Sequence, residues 1–489
     1  MNTTLRRLAG VVMVMFLALM VSTTWIQFFH ADELNNDTRN VRSIYAEYGR
    51  ARGPIVVGGE AVALSKPVDD EFGYQRKYVD GPLYAPLTGY FSLVSGKSKI
   101  ESTENDFLNG QADALWMDRV RNLLTGSDPE GSSVELTINA KAQKAASEAL
   151  GDQRGAVVAV EPSTGKILAM VSNPTFDPND LATHNTKKAN DAYEKLANAD
   201  DDPLLSRATS WLYPPGSTFK LVTAATAIES GDYTEDTQID APVTYTPPGT
   251  TRSIPNYGGE ACSSTGKMSL ADALRISCNT AFAQLGVKLG NEAIYDQANQ
   301  FGYNSPFEVP FSTYKSIFPA PDDERWAPAF EATAAIGQWD VQATPLQVAM
   351  ISAAIANGGE MMAPYSVDTI RDPQLEVVQQ TSPHRLEQSI SKSTADQLTD
   401  MMVGVVDSGT GTAAQISGVK VAGKTGTAQH GDTTKTKPHA WFTGFAPADD
   451  PKVAVAVVVE DGGSTGSEAT GGRVAAPIAK AVMEAVLNG

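Results

Sequence analysis

Hydrophobic and polar positions divide the chain into three stretches of different character. From Leu8 to Phe29 the chain carries no charge over 22 residues, and about 20 predominantly apolar residues suffice for a helix to cross a bilayer. From about Ala31 to Gly131 the pattern is mixed and rich in turn residues, with short strand-like pieces such as Ile55-Val56-Val57. Past a polar Gly/Asp/Pro segment, Gly126 to Ser133, the pattern sharpens. The apolar runs Ala156–Val160 and Ile167–Val171 flank Glu161-Pro162-Ser163-Thr164-Gly165-Lys166, which predicts a hairpin. Ala440–Phe445 and Val453–Val459 flank Ala446-Pro447-Ala448-Asp449-Asp450-Pro451 and predict a second. Between them, Phe219–Glu229 lacks Gly and Pro and predicts a buried helix, and Ala475–Leu487 closes the chain at helical spacing. Strands at both ends with helices between predict an α+β domain, one antiparallel sheet covered by helices. No repeat of 20–50 residues is present, which excludes solenoids and propellers.

The flanks of the first stretch orient it. Arg6 and Arg7 precede the apolar run and Asp32, Glu33 and Asp37 follow it. This predicts a cytoplasmic tail (1–7), a transmembrane anchor (8–29) and the rest of the chain outside the cell membrane. A cleaved signal peptide competes, but its apolar region is usually 7–15 residues and ends in a small-x-small site, which Val21–Trp25 offers poorly. The expected division then continues with a non-catalytic pedestal domain (30–130) and a catalytic domain (131–489).

Composition narrows the function. Apolar residues make up 42% and charged residues 19% of 489, as in a globular protein. A net charge of -19 argues against nucleic acid as a partner. No Cys/His cluster has metal-ligand spacing, and neither a metal nor a cofactor is predicted. The two cysteines, Cys262 and Cys278, lie in the part predicted to be outside, where an even count suits a disulfide. Two buried thiols are the alternative.

The informative segment is Tyr213-Pro214-Pro215-Gly216-Ser217-Thr218-Phe219-Lys220. Pro and Gly ahead of a helix put Ser217 at a helix N-terminus, where backbone N–H groups favour developing negative charge. Lys220 follows three residues on, on the same face. A serine hydroxyl is a weak nucleophile until a base takes its proton. A lysine is that base only when burial or a second cation lowers its pKa. Ser-x-x-Lys alone is weak, since it occurs six times, starting at Ser163, Ser217, Ser264, Ser312, Ser389 and Ser417. Two further motifs single out Ser217: Ser277-Cys278-Asn279, the only Ser-x-Asn, and Lys424-Thr425-Gly426-Thr427, the only Lys-Thr-Gly. Singly, the first reads as a cap or turn and the second as a strand with a glycine. In this order they are the trio of β-lactamases and penicillin-binding proteins.

With these motifs the sequence resembles the class B penicillin-binding proteins, monofunctional peptidoglycan transpeptidases, and most of all the actinobacterial penicillin-binding protein A type. Arg52-Gly53-Pro54-Ile55 and Tyr84-Ala85-Pro86-Leu87-Thr88-Gly89-Tyr90 resemble pedestal motifs of that family. Ile336-Gly337-Gln338, Thr344-Pro345-Leu346-Gln347 and Ala356-Asn357-Gly358-Gly359 match a signature between the second and third catalytic motifs. Val56-Val57-Gly58-Gly59 stands where the family has Asp-Arg-Asn-Gly, and the pedestal is short. The resemblance implies a β-lactamase/transpeptidase-like fold, a five-stranded antiparallel sheet flanked by helices with a mainly helical subdomain. It implies that Ser217 attacks the penultimate D-Ala carbonyl of a peptidoglycan stem while Lys220 takes its proton. Backbone N–H groups of Ser217 and Thr427 would form the oxyanion hole. Ser277 would relay a proton to the departing D-Ala, and Asn279 would hold the stem amide. Cys278 would point away from the cleft toward Cys262. Lys424 would lower the pKa of Lys220, Thr425 and Thr427 would bind the substrate carboxylate, and Gly426 would let the substrate backbone lie close. β-Lactams are implied as inhibitors, and a SEDS-type glycan polymerase as a membrane partner.

Three rival functions share some of these features. A D,D-carboxypeptidase or β-lactamase uses the same trio with water in place of an amine; the anchor, the pedestal and Thr344-Pro345-Leu346-Gln347 favour the transpeptidase. A β-lactam receptor needs a transducing part that seven residues before the anchor do not supply. A non-catalytic scaffold of division or elongation is the third. Ser408-Gly409-Thr410-Gly411-Thr412 reads as a cleft-side loop or a surface turn, Trp441 as core, and His430 and His439 receive no role.

Overall fold

A computed structural model gives the tertiary structure and describes residues 3–30, 34, 47–117, 121, 126, 130–431 and 436–488. Asp32, Glu33 and Asp37, and residues 127–129 of the predicted boundary segment, lie outside the described residues. Helix Thr3–Phe29 has 27 residues, none of them packed against the rest of the chain. At 1.5 Å per residue it is about 40 Å long, more than the ~30 Å hydrocarbon core of a bilayer.

The two predicted hairpins meet in one antiparallel sheet of five strands, in the order Ala422–Ala428, His439–Ala446, Val453–Val459, Gly155–Val160, Ile167–Asn173. Its central strands are continuously apolar because helices cover both faces. Val157, Ala159, Val455 and Val457 pack with helices Ala140–Leu150 and Gly471–Leu487. Ala156, Val158, Ala454 and Ala456 turn to the other core, which includes helices Lys220–Glu229 and Pro345–Ala356. In Lys220–Glu229 every residue from Lys220 to Ile228 is buried. Thr344 caps the Pro345–Ala356 helix, its hydroxyl accepting the Gln347 N–H at 3.1 Å, which gives the Thr344-Pro345-Leu346-Gln347 signature a structural job.

The N-terminal stretch builds a second sheet of six strands. Glu60–Pro67 pairs with Ile55–Val57 and Tyr74–Tyr78, and Ile55–Val57 runs parallel to Ser133–Leu136. Hairpin Val367–Gln380, from far along the chain, completes it by pairing with Ser133–Leu136. The sheet therefore takes strands from both sides of the segment predicted as a boundary. Arg52 and Arg76 meet on the fully buried Glu101, at 2.6 and 2.7 Å, and Tyr78 donates its hydroxyl to the same carboxylate. Gly53 is needed because a Cβ there would stand 1.9 Å from the Ser132 carbonyl oxygen. Gln143 staples the two halves, donating to the Leu83 and Met170 carbonyls and accepting the Met170 N–H.

Candidate active site

Ser217 lies in a 3-10 turn, Gly216–Thr218, that leads into helix Lys220–Glu229, so the predicted helix start is a tight turn followed by the helix proper. The turn is pinned from three sides. Tyr213 exchanges both backbone hydrogen bonds with Ala343, Trp441 Nε1 donates to the Pro214 carbonyl at 3.1 Å, and Gly216 N–H donates to the Gly337 carbonyl. Gly216 has φ +54, a region that favours glycine. Gly337 allows the close approach, since its Cβ would fall 2.1 Å from the Gly216 oxygen. Beneath the turn, Phe219 stacks on Phe318. The Tyr213 hydroxyl donates to Glu460, whose carboxylate also binds Arg207 and Arg154 at 2.7 and 2.9 Å.

Of the six Ser-x-x-Lys lysines, Lys220 is the one buried completely. Its Nζ lies 2.8 Å from the Ser277 carbonyl, 3.2 Å from Ser277 Oγ and 2.7 Å from Asn279 Oδ1. Lys424, also fully buried, places its Nζ 2.8 Å from Ser277 Oγ and 2.8 Å from the Thr425 carbonyl. Ser277 thus bridges two buried amines, with its backbone at φ +61. Strain of that kind in a non-glycine residue is concentrated at functional sites. Burial, and then the Lys424 charge, push Lys220 well below the ordinary lysine range. Burial brings Lys424 to about 7.

Counting protons gives these contacts a direction. A neutral amine has two N–H groups and one lone pair, whereas Lys220 faces three oxygen acceptors. Two N–H groups satisfy the Ser277 carbonyl and Asn279 Oδ1. The lone pair is then left for a hydroxyl donor, and Ser277 Oγ lies 3.2 Å away. A protonated Lys424 donating to Ser277 Oγ orients the Ser277 proton toward Lys220.

Asn279 opens helix Asn279–Leu289, and its Nδ2 also donates to the Pro255 carbonyl. Cys278 is disulfide-bonded to Cys262, with Cα atoms 5.9 Å apart. That ties the Ser277-Cys278-Asn279 turn to the loop around Asn256, which accepts the Thr280 N–H.

Gly426 and Thr425 make contacts that the sequence pattern does not announce. A Cβ on Gly426 would meet Trp441, Thr218 and the Pro215 carbonyl at 2.9–3.2 Å, so this glycine seats the Gly216–Thr218 turn against the strand. Thr425 is 6% exposed and shares a 2.6 Å hydrogen bond with Thr410 Oγ1, while Thr427 is partly open. Thr410 was missed as a site residue. Only the Ser/Thr/Gly pattern of its loop hinted at it, and pairing across 15 residues decides the contact. The same loop meets the Ser277 side through the Arg275 carbonyl, which accepts the Thr410 N–H at 3.3 Å.

Trp441 is wholly buried, as expected. His430 and His439, far from metal spacing in sequence, come together with Asp461, and one ligand atom from each lies within 4.8 Å of the others. Their rings stack face to face at 3.9 Å and 4°, and His439 Nδ1 accepts the Asp461 N–H at 3.2 Å. Burial, with His430 adding to it, lowers His439 to about 4.

Comparison with known proteins agrees with this geometry. Residues 155–484 match the model of the penicillin binding protein transpeptidase domain, and residues 52–134 that of the penicillin binding protein A dimerisation domain. The chain is 44% identical over its full length to the peptidoglycan D,D-transpeptidase PbpA of Mycolicibacterium smegmatis, of which 99% is covered. It is equally identical to PbpA of Mycobacterium tuberculosis, with 100% of both chains covered. The solved structure of M. tuberculosis penicillin-binding protein A as a ceftriaxone acyl-enzyme superposes with a TM-score of 0.87, at 43% identity, over 91% of this chain and 100% of that one. The fold is the β-lactamase/transpeptidase fold, and the chain belongs to the penicillin-binding protein transpeptidase family.

Proposed function

We propose that this chain is a membrane-anchored peptidoglycan D,D-transpeptidase that cross-links stem peptides through an acyl-enzyme on Ser217. The observation that carries the reading is the pair of buried lysines joined by Ser277 beside the Ser217 turn, with no carboxylate among the described residues within ion-pair distance of either. Neutral Lys220 takes the Ser217 proton as Oγ bonds to the penultimate D-Ala carbonyl carbon. Negative charge develops on the carbonyl oxygen, to which the N–H groups of Ser217 and Thr427 donate; one such donor is worth roughly 3–4 kcal/mol. The C–N bond to the terminal D-Ala then breaks, and the proton held by Lys220 passes through Ser277 to the departing amine. An amine from a neighbouring stem attacks the ester carbonyl carbon, and its proton returns along the same path to Ser217 Oγ as the C–Oγ bond breaks and the new amide forms.

Lys424 keeps Lys220 neutral and draws the substrate carboxylate, with Thr425 and Thr427 as hydroxyl partners and Asn279 on the stem amide. A β-lactam takes the place of the D-Ala-D-Ala end and leaves Ser217 acylated. The acyl-enzymes of the M. tuberculosis relative with ceftriaxone and penicillin G support this part. Arg6 and Arg7, in the first turns of the helix and ahead of its apolar run, support an N-terminus inside and a catalytic part outside. The division into a tail (1–7), anchor (8–29), pedestal (30–130) and catalytic domain (131–489) belongs to the same reading. A SEDS-type glycan polymerase as membrane partner rests on the family resemblance.

Fluorescent penicillin tests the assignment. Wild-type protein is expected to form a stable covalent adduct and Ser217→Ala none; equal labelling of the two removes Ser217 from its role. Incubation with a stem-peptide donor and an amine acceptor separates transpeptidation from hydrolysis. Cross-linked product supports the proposal, and hydrolysed donor alone replaces it with a carboxypeptidase.

A further inference from the structure

A cavity of about 150 Å³ lies in the seam between the Tyr84–Tyr90 motif and the catalytic half of the chain. Pro86, Tyr90, Phe176, Tyr193 and Leu204 line it. Nothing in the reaction above uses it. Its polar groups are unusual in two respects. Lys99 borders the cavity, yet among the described residues no carboxylate lies within ion-pair distance of its ammonium; Lys97, two residues earlier, does have one, Glu47 at 2.8 Å. The Lys99 ammonium instead sits 4.4 Å from the centre of the Phe311 ring. Burial without an anion to offset it lowers this lysine to about 8. Its backbone has φ +51, a sparsely populated region for a long side chain.

The second respect is Ser206, which lines the same cavity at 4% exposure with no hydrogen-bond partner for its Oγ. A buried hydroxyl without a partner costs about 1–3 kcal/mol. Ser172, also at the cavity, accepts the Arg207 N–H at 2.9 Å and as a hydroxyl keeps a proton to donate. A cation without an anion and hydroxyls able to donate, set among apolar walls, match one ligand chemistry.

We propose that this seam cavity binds a small organic carboxylate, about the size of an amino acid or short-chain acid, with its charge toward Lys99 and Ser206 and its apolar part against Pro86, Phe176 and Leu204. The site stands apart from the acyl-transfer reading. It connects to the nucleophile turn, however, because Ser206 precedes Arg207, whose guanidinium holds the Glu460 carboxylate that accepts the Tyr213 hydroxyl.

The test is thermal unfolding of the full chain in detergent micelles, titrated with acetate, D-alanine or inorganic phosphate at constant ionic strength. Wild type is expected to gain stability saturably with acetate or D-alanine, since a ligand of the native state alone stabilises it by mass action. The half-saturating concentration should rise at least tenfold in Lys99→Met and several-fold in Ser206→Ala. Without ligand, Lys99→Met should be at least as stable as wild type, because it removes an uncompensated cation, so misfolding cannot mimic loss of binding. No saturable effect, an equal effect in Lys99→Met, or a response to phosphate alone would each overturn the proposal; the first leaves water as the occupant.

Discussion

Two buried charge clusters in this molecule differ in one component. In the pedestal, Arg52 and Arg76 converge on Glu101, and all three side chains are withdrawn from water. In the cleft, Lys220 and Lys424 converge on Ser277, equally withdrawn, with a neutral hydroxyl where the pedestal has a carboxylate. The pedestal anion makes ionisation mutually favourable, and the Glu101 carboxyl is held below the usual carboxylate range by its two arginines, against the effect of its burial. Among the described residues the cleft pair has no carboxylate to offset desolvation, so both amines shift toward neutrality. A paired buried charge keeps its charge and serves architecture, while an unpaired buried amine is pushed toward its neutral form. Glu460 between Arg154 and Arg207 repeats the pedestal arrangement behind the nucleophile turn, where rigidity is the requirement.

Three substitutions test that contrast. Lys220→Met should slow acylation by penicillin roughly 10²–10⁴-fold, the usual range for loss of a general base, measured by stopped-flow labelling. The same variant should melt no lower than wild type, because it replaces a buried amine by an apolar chain. A large loss of stability would mean the lysine is architectural after all.

Glu101→Gln should do the reverse. Removing the anion strands two buried guanidinium groups, which typically costs about 3–5 kcal/mol, seen as an earlier denaturant midpoint. The pH profile of acylation should not move. A displaced profile would show that the pedestal charges reach the cleft.

Lys424→Met gives the smallest and most specific change. The Lys424 cation disfavours protonation of Lys220, so its removal raises the Lys220 pKa. The base is then neutral only at higher pH, and the acid limb of the acylation profile should shift upward by about one unit or more. That limb rises with pH in wild type too, as the lysine loses its proton. An unshifted limb would leave Lys220 lowered by burial alone.

How much of this was legible in the chain differs from residue to residue. The two hairpins of the five-stranded sheet were visible because strand and turn signals are local, running over Ala156–Val171 and Ala440–Val459. The membrane helix was visible for the same reason. The six-stranded sheet was not, since hairpin Val367–Gln380 joins strands more than 200 residues earlier and no local pattern announces such a pairing. The catalytic trio was readable only as a set, in order. The disulfide was an inference from an even cysteine count, and the fold brings those two cysteines within bonding distance.

The sequence by itself determined the elements that short-range periodicity encodes, the anchor, and the identity of the three motifs. Tertiary structure decided which serine has a buried lysine, and why. Burial depends on helices and strands packing from every side, so only the folded chain can strip Lys220 and Lys424 of water. It also decided that Gly426 seats the nucleophile turn and that Thr410 braces Thr425, because both are contacts between segments that the chain order leaves apart.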